Sequence, residues 1–160
     1  MPEEFDRAKE LVEKTIQHLG IDPVAARAER RGQDQGPAPA TASWTFQRGS
    51  AAILVNVTKR KEDDLLYLRV ISPIMTLPEA PARDALFVRL LELNGKGLAN
   101  CAFGLIGDRV VVVSERPAAG MDTEEAEQIV RHLAAVADTY DDRLVKEFGG
   151  RRASDLKGDG

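Results

Sequence analysis

The stretch AAILVNVTKRKEDDLLYLRVISPIMT, residues 51–76, decides the fold. Along a first run, 51–58, the residues at odd positions alternate with a different set at even positions. A second, mostly aliphatic run covers 65–72. An alternation with a period of two residues is typical of β-strands. Six charged residues at 59–64 separate the two runs, and Pro73 is expected to end the second one. The stretch therefore predicts two antiparallel strands joined by a hairpin loop.

Extended and helical patterns alternate along the chain outward from this hairpin. A strand at 43–47 precedes it, and two later strands, 99–106 and 109–115, are joined by the tight turn Gly107-Asp108. Helical periodicity predicts three long helices and a short one, at 3–19, 80–93, 122–148 and 22–31. The long elements follow the order α-β-β-β-α-β-β-α. Strands grouped as three and two indicate the α+β class, with a single antiparallel five-stranded sheet and helices.

Length and composition predict one domain. The chain has 160 residues, of which 43% are hydrophobic and 30% are charged, and this is an ordinary composition for a globular domain. We assign residues 1–149 to a single α+β domain. Within it, the Gly- and Pro-rich segment at about 32–41 is predicted to be a flexible loop. Residues 150–160 are predicted to form a polar C-terminal tail.

Charge and cysteine content exclude several classes of protein. The net charge of -4 argues against a nucleic-acid-binding protein, which would carry a basic surplus. The single cysteine, Cys101, excludes an internal disulfide and a multi-cysteine metal site. No apolar run approaches the roughly 18 residues that a membrane span requires. The acidic N-terminus lacks the features of a signal peptide, so we expect a cytoplasmic protein with no membrane partner.

Side chains that carry catalytic chemistry are few and scattered. His18 and His132 lie on predicted helices, and Cys101 lies in an apolar strand, where cysteine acts as a small hydrophobe. A Cys/His pair assembled in space is the alternative. Asp138, Asp141 and Asp142 cluster on the last predicted helix, and we predict that they form a solvated acidic face. Because no motif of a metallohydrolase, serine hydrolase or phosphate-binding loop occurs, we predict a non-enzymatic protein without cofactor or metal.

The second long helix has more apolar surface than one packing face requires. Seven of the nine residues at 85–93 are apolar, and a helix of this kind is buried on more than one side. A second copy of the chain would supply the additional cover, and the loop at 21–41 is the alternative. The predicted homodimer interface consists of Leu86, Phe87, Leu90 and Leu91.

The predicted strands also carry aliphatic residues on both faces. An antiparallel sheet with one wet face would show polar residues at every second position, and an apolar excess marks an interaction surface. The sequence does not indicate which face is free. The predicted partner-binding surface consists of Ile53, Val55, Leu66 and Leu68.

Four stretches resemble the YbjN family, which is grouped with chaperones of type III secretion. They are WTFQRGSAAILVNV at 44–57, LLYLRVISPIMTLP at 65–78, LLELNGKGLANCAFGLIGDRVVVVSERP at 90–117 and ADTYDDRLVKEFGG at 137–150. The most telling pieces are Ser72-Pro73-Ile74, Leu93-Asn94, Ala137-Asp138 and Tyr140-Asp141. The order of the elements adds more weight to the resemblance than any one of these pieces.

The resemblance implies a secretion-chaperone-like fold in a homodimer that has no catalytic residues. It implies a chaperone, adaptor or regulator that holds a partner polypeptide on an apolar sheet or helix surface. Some members of the family are described as sensory-transduction regulators. The alternative function is therefore a small-ligand-binding or sensory domain, which would use a pocket between the sheet and a helix.

Overall fold

The structure of the protein, a computed structural model, describes residues 2–28 and 41–156. The predicted loop at about 32–41 lies outside these residues, except for Thr41. The elements in chain order are α1 (Pro2–His18), α2 (Pro23–Ala26), β1 (Thr41–Arg48), β2 (Ala51–Lys59), β3 (Leu66–Thr76), α3 (Ala80–Lys96), β4 (Ala102–Ile106), β5 (Arg109–Pro117), α4 (Thr123–Phe148) and a final 3₁₀ turn (Ala153–Leu156).

The five strands form one antiparallel sheet in the order β1-β2-β3-β5-β4. This arrangement confirms the predicted α+β class and the predicted order of the long elements. The start of α4 follows from the spacing of Asp122 and Glu125. The Asp122 carboxylate accepts the Glu125 N–H at 2.8 Å, and the Glu125 carboxylate accepts the Asp122 N–H at 3.2 Å. This reciprocal capping box satisfies two N–H groups that have no partner within the helix.

β3 continues past Pro73, which corrects the predicted end of that strand. The ladder between β2 and β3 extends no farther than Ile71. Beyond this point β3 is an edge on the β2 side, where proline is tolerated because no N–H is required. Its pairing with β5 shifts register between Pro73 and Met75, as at a β-bulge. The strand thereby reaches Thr76.

β4 begins three residues later than its sequence predicts. Ala99 and Asn100 have φ angles of 47° and 50°, in the left-handed region that an extended strand cannot include. The apolar pattern of 99–101 therefore belongs to the connection between α3 and β4, and the strand starts at Ala102.

Helices α1 and α4 cover one face of the sheet, which we call the covered face. Every second side chain of the central strands points to this face and is buried there; examples are Val55, Val70 and Val112. From α1, Ala8, Val12 and Ile16 join this core. From α4, the core receives Ala126, Ile129, Val130, Leu133, Ala134, Val136, Ala137 and Leu144.

The hairpin between β2 and β3 is stabilised by a compact charged cluster. Arg60 pairs with Asp63 and lies 4.4 Å from the centroid of the Tyr67 ring. The Tyr67 hydroxyl donates to Asp63 at 2.8 Å. The Arg60 hydrogen bond is the largest of the effects that hold the pKa of Asp63 at about 2. The charged run at 59–64 is thus internally neutralised.

The pKa of Asp63 tests this cluster. We expect a carboxyl chemical-shift titration to give a pKa of about 2, and Arg60→Gln to raise it because the main stabiliser of the carboxylate is lost. The contribution of Asp63 to stability is present above its ordinary pKa and is lost as the pH falls toward 2. Lys61→Gln is the control, and an unchanged Asp63 pKa in Arg60→Gln would contradict the assignment.

Two serines lie in the core beneath the helices. The side chains of Ser72 and Ser114 are on the covered face, and their hydroxyls have no hydrogen-bond partner among the described residues. An unsatisfied buried hydroxyl is costly, whereas a hydrogen-bonded one stabilises. Ser43 provides the contrast, because its hydroxyl donates to Asn56 at 2.7 Å.

Replacement of these hydroxyls is expected to have opposite effects. Ser72→Ala should raise the free energy of unfolding by about 0.5–1 kcal/mol, because the alanine removes an unpaired hydroxyl. Ser43→Ala should lower it by about 0.5–1.5 kcal/mol, because a hydrogen bond is lost. Urea denaturation of both variants measures the two values. A loss of stability in Ser72→Ala would mean that its hydroxyl is satisfied in the folded protein.

Candidate functional site

The second face of the sheet, which we call the open face, presents an apolar patch. Leu54 pairs with Ile71, which pairs in turn with Val113, and Pro73 lies opposite Val111. These residues have the opposite parity to the core residues of the same strands. Because neighbouring side chains along a strand point to opposite faces, they lie on the side away from α1 and α4.

A groove of about 570 Å³ crosses the open face. Ile71 and Val111 are buried at its base, whereas Ile106, at 47% exposed, remains accessible at its side. Its apolar lining comes from all five strands: Phe46, Ala52, Ile53, Leu54, Ile71, Pro73, Ile106 and Val111. The exposed polar and charged side chains of the lining are Thr45, Gln47 and Arg109. An apolar concavity of this kind can hold the side chains of another molecule.

The C-terminal segment borders this groove at one end. The Thr76 N–H donates to the Arg151 carbonyl at 2.9 Å, and Arg152 forms an isolated bridge with Met75. Residues of the following 3₁₀ turn face Ala52, Pro73 and Arg109 across a cavity of about 200 Å³. The first part of the predicted polar tail therefore packs against the sheet.

Gly150 permits this close approach of the C-terminal segment. Its φ is +84°, and a Cβ at this position would lie 2.6 Å from the Thr76 carbonyl oxygen. Both the backbone conformation and the short distance require glycine.

The predicted partner-binding residues are distributed differently from the groove. Ile53, Val55 and Leu68 are buried on the covered face, with 1–3% of their surface exposed. Leu66 is partly buried against the core and also lines a separate pocket beside Leu11. The side chains of three of the four residues are thus committed to the core, although Ile53 also borders the groove. The open-face residues occupy the neighbouring positions in the same strands, and the sequence alone did not single them out.

The predicted dimer interface on α3 also divides into two groups. Leu86 and Leu90 are buried in the core of the same chain, because α3 packs against α4 and β4. Phe87 is partly buried. Leu91 is 69% exposed, and Val88, on the same helix, is 56% exposed. Of the predicted set, Leu91 is therefore the most available for contact with a second molecule.

Asn94 at the end of α3 caps the free edge of β4. Its side-chain oxygen accepts the Phe103 N–H at 2.8 Å, and its amide nitrogen donates to the Phe103 carbonyl at 3.2 Å. These two bonds imitate the pairing of another strand. An edge strand whose backbone groups are satisfied in this way is less open to unwanted pairing.

Two substitutions of Asn94 remove either one or both of these hydrogen bonds. Asn94→Asp retains the acceptor but loses the donor, and Asn94→Ala loses both. We expect amide hydrogen exchange at Phe103 to be faster in Asn94→Ala than in Asn94→Asp, and slowest in the wild type. Asn56→Asp serves as a control on a different strand. Equal exchange at Phe103 in all proteins would contradict the proposed cap.

Cys101 and His132 meet at one backbone oxygen. The thiol donates to the Leu98 carbonyl at 3.4 Å, and His132 Nε2 contacts the same oxygen. Burial raises the pKa of the Cys101 thiol, which favours the protonated and less reactive form. His18 lies elsewhere, paired with Glu127 at 2.7 Å. The structure therefore pairs the thiol and both imidazoles with other groups rather than with each other.

The acidic residues of α4 hold the surrounding chain rather than forming a fully solvated face. Asp141 is buried and accepts the Ser50 hydroxyl at 3.2 Å, and the same hydroxyl bonds Asp138. Asp142 pairs with Arg152 at 2.9 Å. The expectation of a solvated face is thus wrong for Asp141.

The described residues contain neither a candidate metal site nor a membrane-spanning helix. Across residues 2–28 and 41–156, no cluster of three or more His, Cys, Asp or Glu side chains is arranged to hold a metal ion. In the same part of the chain, every helix is too short or too polar to cross a bilayer.

The fold and site are thus a single antiparallel sheet with two helices on one face and an apolar groove on the other. A sequence model of the TY-Chap1 family, described as "T3SS (YopN, CesT) and YbjN peptide-binding chaperone 1", matches residues 6–156. The chain belongs to this family of peptide-binding chaperones. The resemblance to the YbjN family and to type III secretion chaperones is confirmed.

Solved structures support the fold. A chain in the crystal structure of the ExsC–ExsE complex is 16% identical, with a TM-score of 0.56, and the match covers 87% of this chain and 94% of that one. A chain of the heterodimeric ExoU–SpcU complex from the type III secretion system of Pseudomonas aeruginosa is 13% identical, with a TM-score of 0.54 and coverages of 86% and 97%. For the HopA1–SchA chaperone–effector complex, the values are 12%, 0.51, 84% and 92%. A comparison with curated proteins found no significant match.

Proposed function

We propose that this protein is a non-catalytic chaperone or adaptor that holds an extended segment of a partner polypeptide in the groove of the open face. The observation that carries the proposal is an apolar groove on the sheet face opposite α1 and α4. Membership of a peptide-binding family supports a polypeptide as the occupant.

The dimensions of the groove suit a short extended segment. Neighbouring strands are about 4.8 Å apart and an extended chain rises about 3.3 Å per residue. A segment that crosses all five strands therefore spans about six residues. Alternate side chains of this segment would enter the groove, where each buried leucine-sized group contributes about 1.5–3 kcal/mol.

Loss of apolar surface in the groove should weaken peptide binding. We expect a random twelve-residue peptide library displayed on phage to yield segments rich in aliphatic residues when selected on the wild-type protein. Leu54→Asp should weaken synthetic versions of these peptides by about 10- to 100-fold, because it places a charge in the apolar lining. Fluorescence anisotropy measures the affinities.

The matched control for this experiment is Leu65→Asp, which introduces the same charge just before β3, outside both the groove and α3. It should bind the selected peptides as the wild type does. Equal binding by Leu54→Asp and the wild type would exclude the groove. Selection of no aliphatic segments by the wild type would exclude the proposed function.

A homodimer formed through α3 is the second part of the proposal. Leu91 and Val88 leave an exposed apolar strip on this helix, and Leu105 adds a 47% exposed leucine on β4, against which α3 packs. Removal of two or three such side chains from water could drive association.

Sedimentation equilibrium tests the homodimer. The wild type should sediment as a dimer, and Leu91→Arg should shift it toward the monomer because a charge would be buried at the interface. Leu65→Arg is the control, since Leu65 is a 48% exposed leucine away from α3. A wild type that remains monomeric at high concentration would contradict this part of the proposal.

The volume of the groove also falls within the range of about 300–1,000 Å³ that is common for small-ligand sites. A small-ligand-binding or sensory domain is therefore the alternative function. It would be favoured if the protein selected no peptides but gained thermal stability from members of a metabolite panel.

A further inference from the structure

Within the described part of the chain, one charged residue of the groove lining has no partner. Arg109 is exposed, stands next to the apolar base of the groove, and is the only charged residue that the described residues contribute to the lining. Among residues 2–28 and 41–156, its guanidinium forms no ion pair and no hydrogen bond. A guanidinium carries five N–H donors and is always protonated, so these donors are available to a molecule in the groove.

The other arginine on the open face near the groove is paired. Arg69 of β3 lies opposite Glu115 of β5, with its Nε 3.4 Å from a carboxylate oxygen. Arg109 lies two residues before Val111 on β5. Its cross-strand neighbours are Ile106 on β4 and Thr76 on β3, and neither carries a charge. The positive charge at this end of the groove is therefore not neutralised within the described part of the chain.

We infer that the partner segment carries an Asp or Glu side chain that pairs with Arg109, and that Arg109 determines which segments the groove accepts. This inference rests on the proposed function. A carboxylate can accept two parallel N–H bonds from a guanidinium, which gives both affinity and a fixed orientation. A basic or uncharged segment would leave Arg109 without a partner beside an apolar surface.

The sheet geometry also predicts the spacing within the partner segment. Leu54 is on β2 and Arg109 is on β5, and two strand spacings separate these strands in the sheet. Arg109 also lies four residues along β5 from Val113, which is in line with Leu54 through Ile71. About 10 Å across the strands and about 13 Å along them give a separation of about 16 Å, which an extended chain covers in about five residues. The acidic residue should therefore lie about five positions from the aliphatic residue that contacts Leu54, at one end of the apolar run.

Charge reversal in the protein and in the peptide tests the inference. The random twelve-residue library is selected separately on the wild type and on Arg109→Glu. The wild type should enrich aliphatic segments with an Asp or Glu about five positions from an aliphatic residue, and Arg109→Glu should enrich Lys or Arg at that position. For one synthetic wild-type peptide, changing its acidic residue to Lys should weaken binding to the wild type tenfold or more. Binding of the Lys peptide to Arg109→Glu should be restored.

Arg89→Glu, which makes the same change in net charge on α3, is the control and should keep the preference of the wild type for acidic peptides. If wild type and Arg109→Glu enrich the same aliphatic segments without regard to charge, the inference is overturned while the proposed function stands. If aliphatic segments are not enriched, or if Leu54→Asp binds them as the wild type does, the groove itself is excluded and the inference is overturned with it. A preference that changes equally in Arg89→Glu would assign the effect to net charge and would also overturn the inference.

Discussion

The structure depends on the burial of one face of the sheet beneath α4. Nine residues of this 26-residue helix are buried. Leu133 and Leu144 have at most 1% of their surface exposed, and burial of each leucine contributes about 1.5–3 kcal/mol. Small side chains at Ala134 and Ala137, above a strand that carries Ser72, keep the contact between helix and sheet close-packed. The central strand residues of one parity, among them Val55, Val70 and Val112, are thereby committed to the core.

The same helix also holds in position two segments next to the open face, although it contributes no residue to the groove. Through Asp141 it holds Ser50 in the turn between β1 and β2. Through Asp142 it holds Arg152 in the segment that borders the groove. A mostly exposed ion pair alone contributes little stability, so the backbone pairing of Arg151 with Thr76 is needed as well. The covered face thus supplies the stability, and the open face remains available for binding.

Much of the fold was predictable because it depends on local patterns. Alternation predicted the strands, and helical periodicity predicted the long helices, including the start of α4 at the local capping box of Asp122 and Glu125. Two boundaries were not predictable in this way. β3 passes through Pro73 only because its ladder with β2 has already stopped at Ile71, and β4 starts late because Ala99 and Asn100 adopt a left-handed backbone. Both depend on the neighbouring chain rather than on the local sequence.

The sequence by itself determined the order of the elements, the antiparallel sheet and the excess of apolar residues on both faces of the strands. It did not determine which face the helices cover, because Ile53 and Leu54 are equally apolar and point in opposite directions. Only the tertiary structure decided that the Ile53 side chain enters the core and that the Leu54 side chain lies on the open face. It likewise buried Leu90 and left Leu91 exposed. The physical reason is that a side chain is buried by its neighbours in space, and the direction from which α1 and α4 approach is not encoded in the pattern of any single strand.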